Sequence, residues 1–315
     1  MKEERKEAMA IKENQLQVRN DFDALMQQFI DAQDVKPNSK VTYQRMLKQF
    51  FSWIQVEAIN NPDRETILKY KHYLESKGLS PLSISGYIVA VRKFFEWTES
   101  IKKYPNIAKS IKGAKRVRGF RKDPLTISQV KELLSIDRGT IEGKRDYALL
   151  NLMIRTGLRT IEVIRADAGD IRQEGGEAVL NIQGKGRDCK DDFVVLTESI
   201  LNPINEYLSS RGEVKDDDPL FASLRHRGTG DRLTTHTVSY IAKTYLRDIG
   251  INTHRISAHS LRHTAITLSL QAGATLQEAQ ALGRHVNIQT TLSYAHNINR
   301  IVNAPERKID ILLAS

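Results

Sequence analysis

From Lys109 to Lys122 the chain runs through seven basic side chains (Lys109, Lys112, Lys115, Arg116, Arg118, Arg121, Lys122) without one acid. This run separates two parts of different charge. Residues 1–122 hold 24 Lys and Arg against 14 Asp and Glu, a net of +10, whereas residues 123–315 hold 24 against 24. Within the first part, residues 1–35 carry 5 against 8, so residues 36–122 carry 19 against 6, or +13. The pattern predicts a small basic domain attached to a larger neutral one. A basic domain of this kind suits a polyanion, because each phosphate it neutralises releases counterions; a surface tuned for solubility is the plainer alternative.

The 315 residues are enough for two domains with a core each. At 40% hydrophobic and 27% charged residues, the chain is neither disordered nor collagen-like. Its longest apolar stretches, 148–150 and 152–154 around Asn151, are far too short to span a membrane. Charges of both signs at Lys2, Glu3, Glu4 and Arg5, with no apolar block behind them, predict that this segment is not a secretory leader. A lone cysteine, Cys189, allows no internal disulfide and no Cys-rich zinc cluster, which fits the reducing cytoplasm.

Helical signals dominate the first part. Asp34–Ser39 is turn chemistry, and the apolar spacing of Val41, Leu47, Phe50, Phe51 and Ile54 predicts a helix over 40–57. A second helix starts at Asn61-Pro62-Asp63 and ends at Lys77-Gly78; a third runs from Ser80-Pro81 to about Ser100, with proline at its first position. A weaker pattern at 18–33 completes a four-helix unit. The stripe Tyr87, Val91, Phe94, Phe95 is read as core, although it could also stack on bases. After the basic run, a helix opens at Asp123–Thr126, another spans Arg145–Thr156 and stops at Gly157, and a short one carries Arg159 and Glu162. Strands at 179–183 and 193–196 flank Gly184-Lys185-Gly186, and helices are predicted at 198–210, 235–249, 258–272, 275–282 and 287–295. The fold class is mainly α with a small β-sheet. The expected boundaries are a tail over 1–17, a helical domain over 18–110, a basic linker over 111–122, an α+β domain over 123–297, and a tail over 298–315. That last tail ends in the apolar Ile309, Ile311, Leu312 and Leu313, which dock either on their own domain or on a neighbouring protomer.

Several side chains in the second part can do chemistry. His259 and Arg262, three apart on one helix, can address one ligand. His263, four from His259, raises a metal pair, but Ser260 occupies the place where a hydrolase would need Glu. The Gly-Lys-Gly at 184–186 lacks the rest of a phosphate loop. Arg159, Lys185, His259, Arg262 and His285 supply cations and proton carriers, and no acidic cluster for two magnesium ions accompanies them. The target predicted is a phosphodiester cut without metal, by a side-chain nucleophile: Ser, Thr, or Tyr such as Tyr294.

These residues resemble the tyrosine recombinases, the phage-integrase-type site-specific recombinases. Thr156-Gly157-Leu158-Arg159-Thr160-Ile161-Glu162 resembles the family's first arginine box, Gly184-Lys185-Gly186 its hairpin lysine motif, and His259-Ser260-Leu261-Arg262-His263 its His-x-x-Arg box. His285 and Tyr294 match the nine-residue spacing of its last histidine and nucleophile, and Arg145–Leu150 reads like the preceding helix. Residues 18–110 are similar in pattern to the helical core-binding domain. Two departures stand out: Arg284 separates Gly283 from His285, where the family commonly has Gly directly before His, and the hairpin after Lys185 is unusually acidic.

The resemblance implies that Tyr294 attacks a DNA phosphate to give a 3′-phosphotyrosyl link and a free 5′-hydroxyl, with no cofactor and no metal. It implies that Arg159 and Arg262 clamp the phosphate, Lys185 protonates the leaving oxygen, His259 acts as base or shuttle toward Tyr294, His285 donates a hydrogen bond, and Glu162 supports the site. The linker side chains Lys109, Lys112, Lys115, Arg116, Arg118, Arg121 and Lys122 would cross the DNA between two domains gripping opposite faces, and binding would weaken steeply with salt. The expected partners are double-stranded DNA, a homotetramer on two DNA sites, and accessory directionality or architectural proteins, with no membrane; the expected location is the cytoplasm, at the nucleoid. The expected task is integration or excision of a mobile element, or Xer-like dimer resolution. Rival readings are a non-enzymatic DNA-binding regulator on the same fold, a type IB topoisomerase-like relaxing enzyme, and a metal-dependent nuclease.

Overall fold

The computed structural model describes residues 22–115, 123–184, 186–224, 230–302 and 304–314, and the chain divides into two compact units, Met1–Gly119 and Phe120–Ser315. In the first, α1 covers residues 22–32, and three helices follow: α2 (Pro37–Val56), α3 (Arg64–Ser76) and α4 (Pro81–Ser100). Local chemistry sets their starts. Asp63 accepts from the Thr66 amide at 2.8 Å while its own amide donates to the Thr66 hydroxyl at 3.1 Å, which satisfies two amides that the first turn of α3 leaves open. At α4 the Ser80 hydroxyl alone caps the helix, accepting from the Ser83 amide at 3.2 Å, and Pro81 follows it at the first helical position.

The apolar faces of these helices meet in an aromatic core. Phe50 packs edge-on against Tyr70 and Phe95, and Phe51 against Phe94, at centroid distances of 4.8, 6.1 and 5.2 Å. Val91, Phe94 and Phe95 are fully buried and Tyr87 packs against them, so the stripe is core. The packing runs past α4: Ala108 and Ile111 are buried, and the Ala114 carbonyl accepts from Ser85 at 3.3 Å.

The second unit begins with α5 (Ile127–Leu133), α6 (Ile141–Thr156) and α7 (Thr160–Arg165). Helix α6 starts four residues earlier than its apolar pattern indicates, because Thr140 caps the Gly143 amide at 3.1 Å. Gly157, with φ +64°, ends it. An antiparallel sheet follows in the order β1 (Ile171–Glu174), β2 (Glu177–Ile182), β3 (Asp192–Val195), with Leu180 opposite both Ile171 and Val194. The sheet has one strand more than the sequence pattern predicts, and the Gly175-Gly176 turn, both residues at positive φ, delivers it. Cys189 is exposed in the segment between β2 and β3.

The remaining helices are α8 (Glu198–Ser210), α9 (Thr235–Asp248), α10 (Ala258–Gln271), α11 (Leu276–Gly283), α12 (Ile288–Val302) and α13 (Pro305–Ala314). Helix α12 thus continues past 295, and the terminal segment is itself a helix. Helix α6 lies at the centre, against α8 on one side and α10 on the other, while α11 and α12 pack on α10. Among the described residues no helix is long and apolar enough to cross a membrane.

Candidate active site

The end of α6, the start of α7, helix α10 and the α11–α12 turn converge on one carboxylate. Glu162 is completely buried. Its Oε1 accepts from Arg159 Nη1 at 2.7 Å, and its Oε2 accepts from the Arg159 amide at 2.7 Å and from Arg284 Nη2 at 3.1 Å. Burial pushes this carboxyl up, but Arg284 and the bonds from Arg159 outweigh that and hold it below the ordinary glutamate range. The left-handed turn at Gly157 presents a carbonyl that accepts from Arg262 Nη1 at 2.6 Å and Arg284 Nη2 at 3.0 Å. Three guanidiniums therefore surround one carboxylate, leaving an excess of positive charge.

Arg262 is 3% exposed, and its Nη2 finds no acceptor among the described residues. Burial, with Arg159 and Arg284 beside it, pulls the guanidinium down to about 9, so it keeps its charge at neutral pH. A buried cationic donor without an acceptor is a costly arrangement that an incoming anion would relieve. Arg159, Thr160, Thr235, Ser239, His259 and Arg262 line an adjoining cleft of about 420 Å³.

Tyr294 on α12 is 5% exposed, and its hydroxyl lies 2.6 Å from His263 Nδ1. The family resemblance implies that His259 serves the tyrosine. The structure instead puts His263, one turn further along α10, against the phenol, with the exposed His259 ring edge-on to His263 at 4.8 Å. His285 stacks on Tyr294 at 6.1 Å, and its Nδ1 lies 2.9 Å from the Thr291 hydroxyl. Its ring also covers Gly283: a Cβ there would sit 2.9 Å from the imidazole, so this position takes no side chain without displacing the ring. Burial, reinforced by His259 and Arg262 for His263 and by Arg262 and Arg159 for His285, lowers both imidazoles to about 4. Both are neutral at pH 7. Burial also pushes the Tyr294 phenol up to about 12, against the pull of Arg262 and Arg159.

Helix α10 is held from outside the cluster. Arg255 forms a two-pronged bond to Asp123 at 2.6 and 2.7 Å, and the Leu125 amide donates to Thr264 at 2.8 Å. Arg159, Glu162, His259, Arg262, His285 and Tyr294 are thus all in this region. Lys185 lies outside the described residues; of its neighbours, the Gly184 carbonyl accepts from Arg165 at 3.2 Å. In the linker, Lys109, Lys112 and Lys115 are exposed on the first unit, and Arg116, Arg118, Arg121 and Lys122 lie outside the described residues. Sequence reasoning missed two residues. His263 was visible only as a second histidine on the α10 face, and Arg284 only as an intrusion between Gly283 and His285.

Residues 124–300 match the model of the phage integrase family, and residues 23–101 match that of the phage integrase N-terminal SAM-like domain. Curated relatives include a tyrosine recombinase of Synechococcus elongatus, 29% identical over 91% of this chain and 93% of its own length. Tyrosine recombinase XerC of Herpetosiphon aurantiacus is 30% identical over 83% and 85%, and tyrosine recombinase XerD of Listeria innocua is 30% identical over 82% and 88%. Among solved structures, the XerH site-specific recombinase bound to a palindromic difH substrate superposes with a TM-score of 0.70 at 22% identity, covering 85% of this chain and 79% of that one. A lambda integrase dimer on a COC′ core site gives 0.67 at 14%, covering 85% and 96%. Both structures share the mainly helical fold with a small sheet. With the family model matching more than half of the chain, and its buried tyrosine seated between histidines beside a cluster of arginines, the chain belongs to the phage integrase family of tyrosine recombinases.

Proposed function

We propose that this recombinase cuts and rejoins duplex DNA at a specific site through a 3′-phosphotyrosyl intermediate on Tyr294. The observation that carries the reading is the 2.6 Å contact between the Tyr294 hydroxyl and a neutral His263, beside arginines with an unused donor. His263 takes the phenolic proton as the tyrosine oxygen bonds to phosphorus, and passes it toward His259 and solvent. The bond from phosphorus to the 5′-oxygen breaks, and that oxygen takes its proton from Lys185, a role given by the family likeness. Arg159 and Arg262 hold the non-bridging oxygens, the orphaned Nη2 of Arg262 receiving one of them, and His285 adds a hydrogen bond. In rejoining, a 5′-hydroxyl attacks the phosphotyrosine and the protons return. Bond energy is conserved, so neither ATP nor a metal enters the scheme.

Exchange between two duplexes needs four such sites, hence a homotetramer on two DNA sites. The exposed Ile309, Ile311 and Leu313 of α13 suit docking on a neighbouring copy in that assembly. The basic residues of 36–115, with the linker arginines and Lys122, bind the DNA backbone. Both Xer-like dimer resolution and the mobility of an integrating element fit this chemistry.

Capture of covalent protein–DNA adducts under denaturing conditions from cells expressing the full chain, with sequencing of the trapped ends, tests the reading. Adducts at one repeated site with wild type, and none with Tyr294→Phe that still binds DNA, are expected. Equal adducts from both would remove Tyr294 from its role. Relaxed plasmid without recombinant products would favour the relaxing-enzyme alternative, activity lost to EDTA the nuclease, and DNA binding without any adduct the regulator.

A further inference from the structure

We infer that Arg284 is a positioning residue that sets the geometry of Arg159 and Arg262 by holding their two shared acceptors, the Glu162 carboxylate and the Gly157 carbonyl. The inference rests on the reading that Arg159 and Arg262 grip the scissile phosphate.

Arg284 caps α11 with φ +46°, a left-handed conformation that favours glycine. The chain accepts a long cationic side chain there because that side chain turns inward, where only 9% of it is exposed. Its fork then spans acceptors more than 120 residues away in sequence: the Thr156 carbonyl at 3.4 Å, the Gly157 carbonyl at 3.0 Å and Glu162 Oε2 at 3.1 Å. Each of the last two is also the anchor of another arginine. Gly157 oxygen accepts from Arg262, and Glu162 accepts from Arg159 through both side chain and backbone.

The consequence is a division of labour. With Arg284 occupying one side of the carboxylate, Arg159 meets Glu162 through a single nitrogen of its guanidinium and keeps the rest for the cleft it lines. Without Arg284, Glu162 is short of a cation, and Arg159 is free to swing fully onto it in the two-pronged geometry that guanidinium and carboxylate prefer. The phosphate clamp would lose one arm. A lysine at 284 would bring a point charge without the planar fork, and so could not hold the Thr156 carbonyl on one nitrogen and the Gly157 carbonyl and Glu162 on the other. Arg284 also adjoins His285, so the same contact ties the turn leading to α12 and Tyr294 to the Arg159 box.

The experiment compares full-length wild type, Tyr294→Phe, Arg284→Gly and Arg284→Lys on the duplex recovered from the adduct ends, nicked so that cleaved product accumulates. Glycine suits φ +46°, so Arg284→Gly leaves the backbone unstrained and opens a guanidinium-sized gap. Its adduct rate should fall about 100-fold, the scale of a misplaced reacting group, with DNA affinity nearly unchanged. Free guanidinium ion at tens of millimolar, far below denaturing levels, should restore part of the rate in Arg284→Gly and none in wild type. Arg284→Lys should remain slow. Wild-type rates in either variant would overturn the inference while leaving the cleavage chemistry intact. A rate loss matched by an equal loss of affinity, with no response to guanidinium, would also overturn it, making Arg284 a general structural residue. No adduct from wild type would remove the proposed function and this inference with it.

Discussion

The interior of the first unit is filled by Phe29, Phe50, Phe51, Trp53, Tyr70, Phe94 and Phe95, and among the described residues it buries no charged side chain. The interior of the second buries Arg145, Asp146, Glu162 and Arg262 together with His263. Apolar packing stabilises without directional demands, whereas a buried charge must be matched or it destabilises. The second unit itself holds both outcomes. Arg145 and Asp146 match, at 2.7 Å, with Tyr245 completing the carboxylate at 3.2 Å. Around Glu162 the matching is incomplete: three guanidiniums face one carboxylate, and among the described residues Nη2 of Arg262 and Nε of Arg284 find no acceptor. Buried charge alone therefore does not mark a site. Buried charge left unbalanced on one side of a cleft does.

Removing the single anion of that cluster should have the largest effect. Glu162→Gln is expected to cost the second unit about 3–5 kcal/mol, the scale of breaking a buried ion pair from one side, and to suppress adduct formation; denaturant melts and adduct capture read the two. A melt unchanged from wild type would mean that the surplus arginines do not depend on Glu162. Phe94→Ala should cost a similar 3–5 kcal/mol through its cavity, but in the first unit only, with the second unit's transition unmoved and the cleavage rate on saturating DNA preserved. If both transitions moved together, the two interiors would not be independent.

Acid should separate the units more gently. His263 and His285 have folded values near 4 against an ordinary 6.5. The unfolded chain therefore binds protons that the folded one refuses between those values, and the stability fully present above 6.5 drains away as pH falls toward 4. The second unit's melting temperature should drop by roughly 5–10 °C between pH 7 and 4.5, more than the first unit's. Cleavage should stay level from pH 8 to 6 and fail as His263 protonates and can no longer accept from Tyr294. Parallel melting shifts in both units would sever the link to these histidines.

Local signals carried most of the helices into the sequence reading: Asp63, Ser80-Pro81 and Thr126 at starts, and Gly157 at a stop, act within a single turn. Strand β1 was hidden because Ile-Arg-Gln-Glu shows one half-buried side chain and three exposed ones, giving no alternation to detect. Its only advertisement was the Gly175-Gly176 turn. At the site, the resemblance to the family's boxes pointed to Arg159, Glu162, His259, Arg262, His285 and Tyr294, and the structure gathers these side chains in one region. The tyrosine's partner was not legible, since choosing His263 over His259 depends on how α12 lies across α10, a contact 31 residues apart. Arg284 was noticed as an irregularity. Its meaning depends on Thr156, Gly157 and Glu162, which only the folded chain brings to it.

The lone thiol gives the chain a property useful at the bench. Cys189 is exposed in the segment joining β2 to β3, four residues beyond Lys185. A maleimide fluorophore would therefore attach at one place in the native sequence, with no cysteine to remove first. Its emission would follow the strand-connecting loop as duplex arrives, in real time and in the unmutated enzyme.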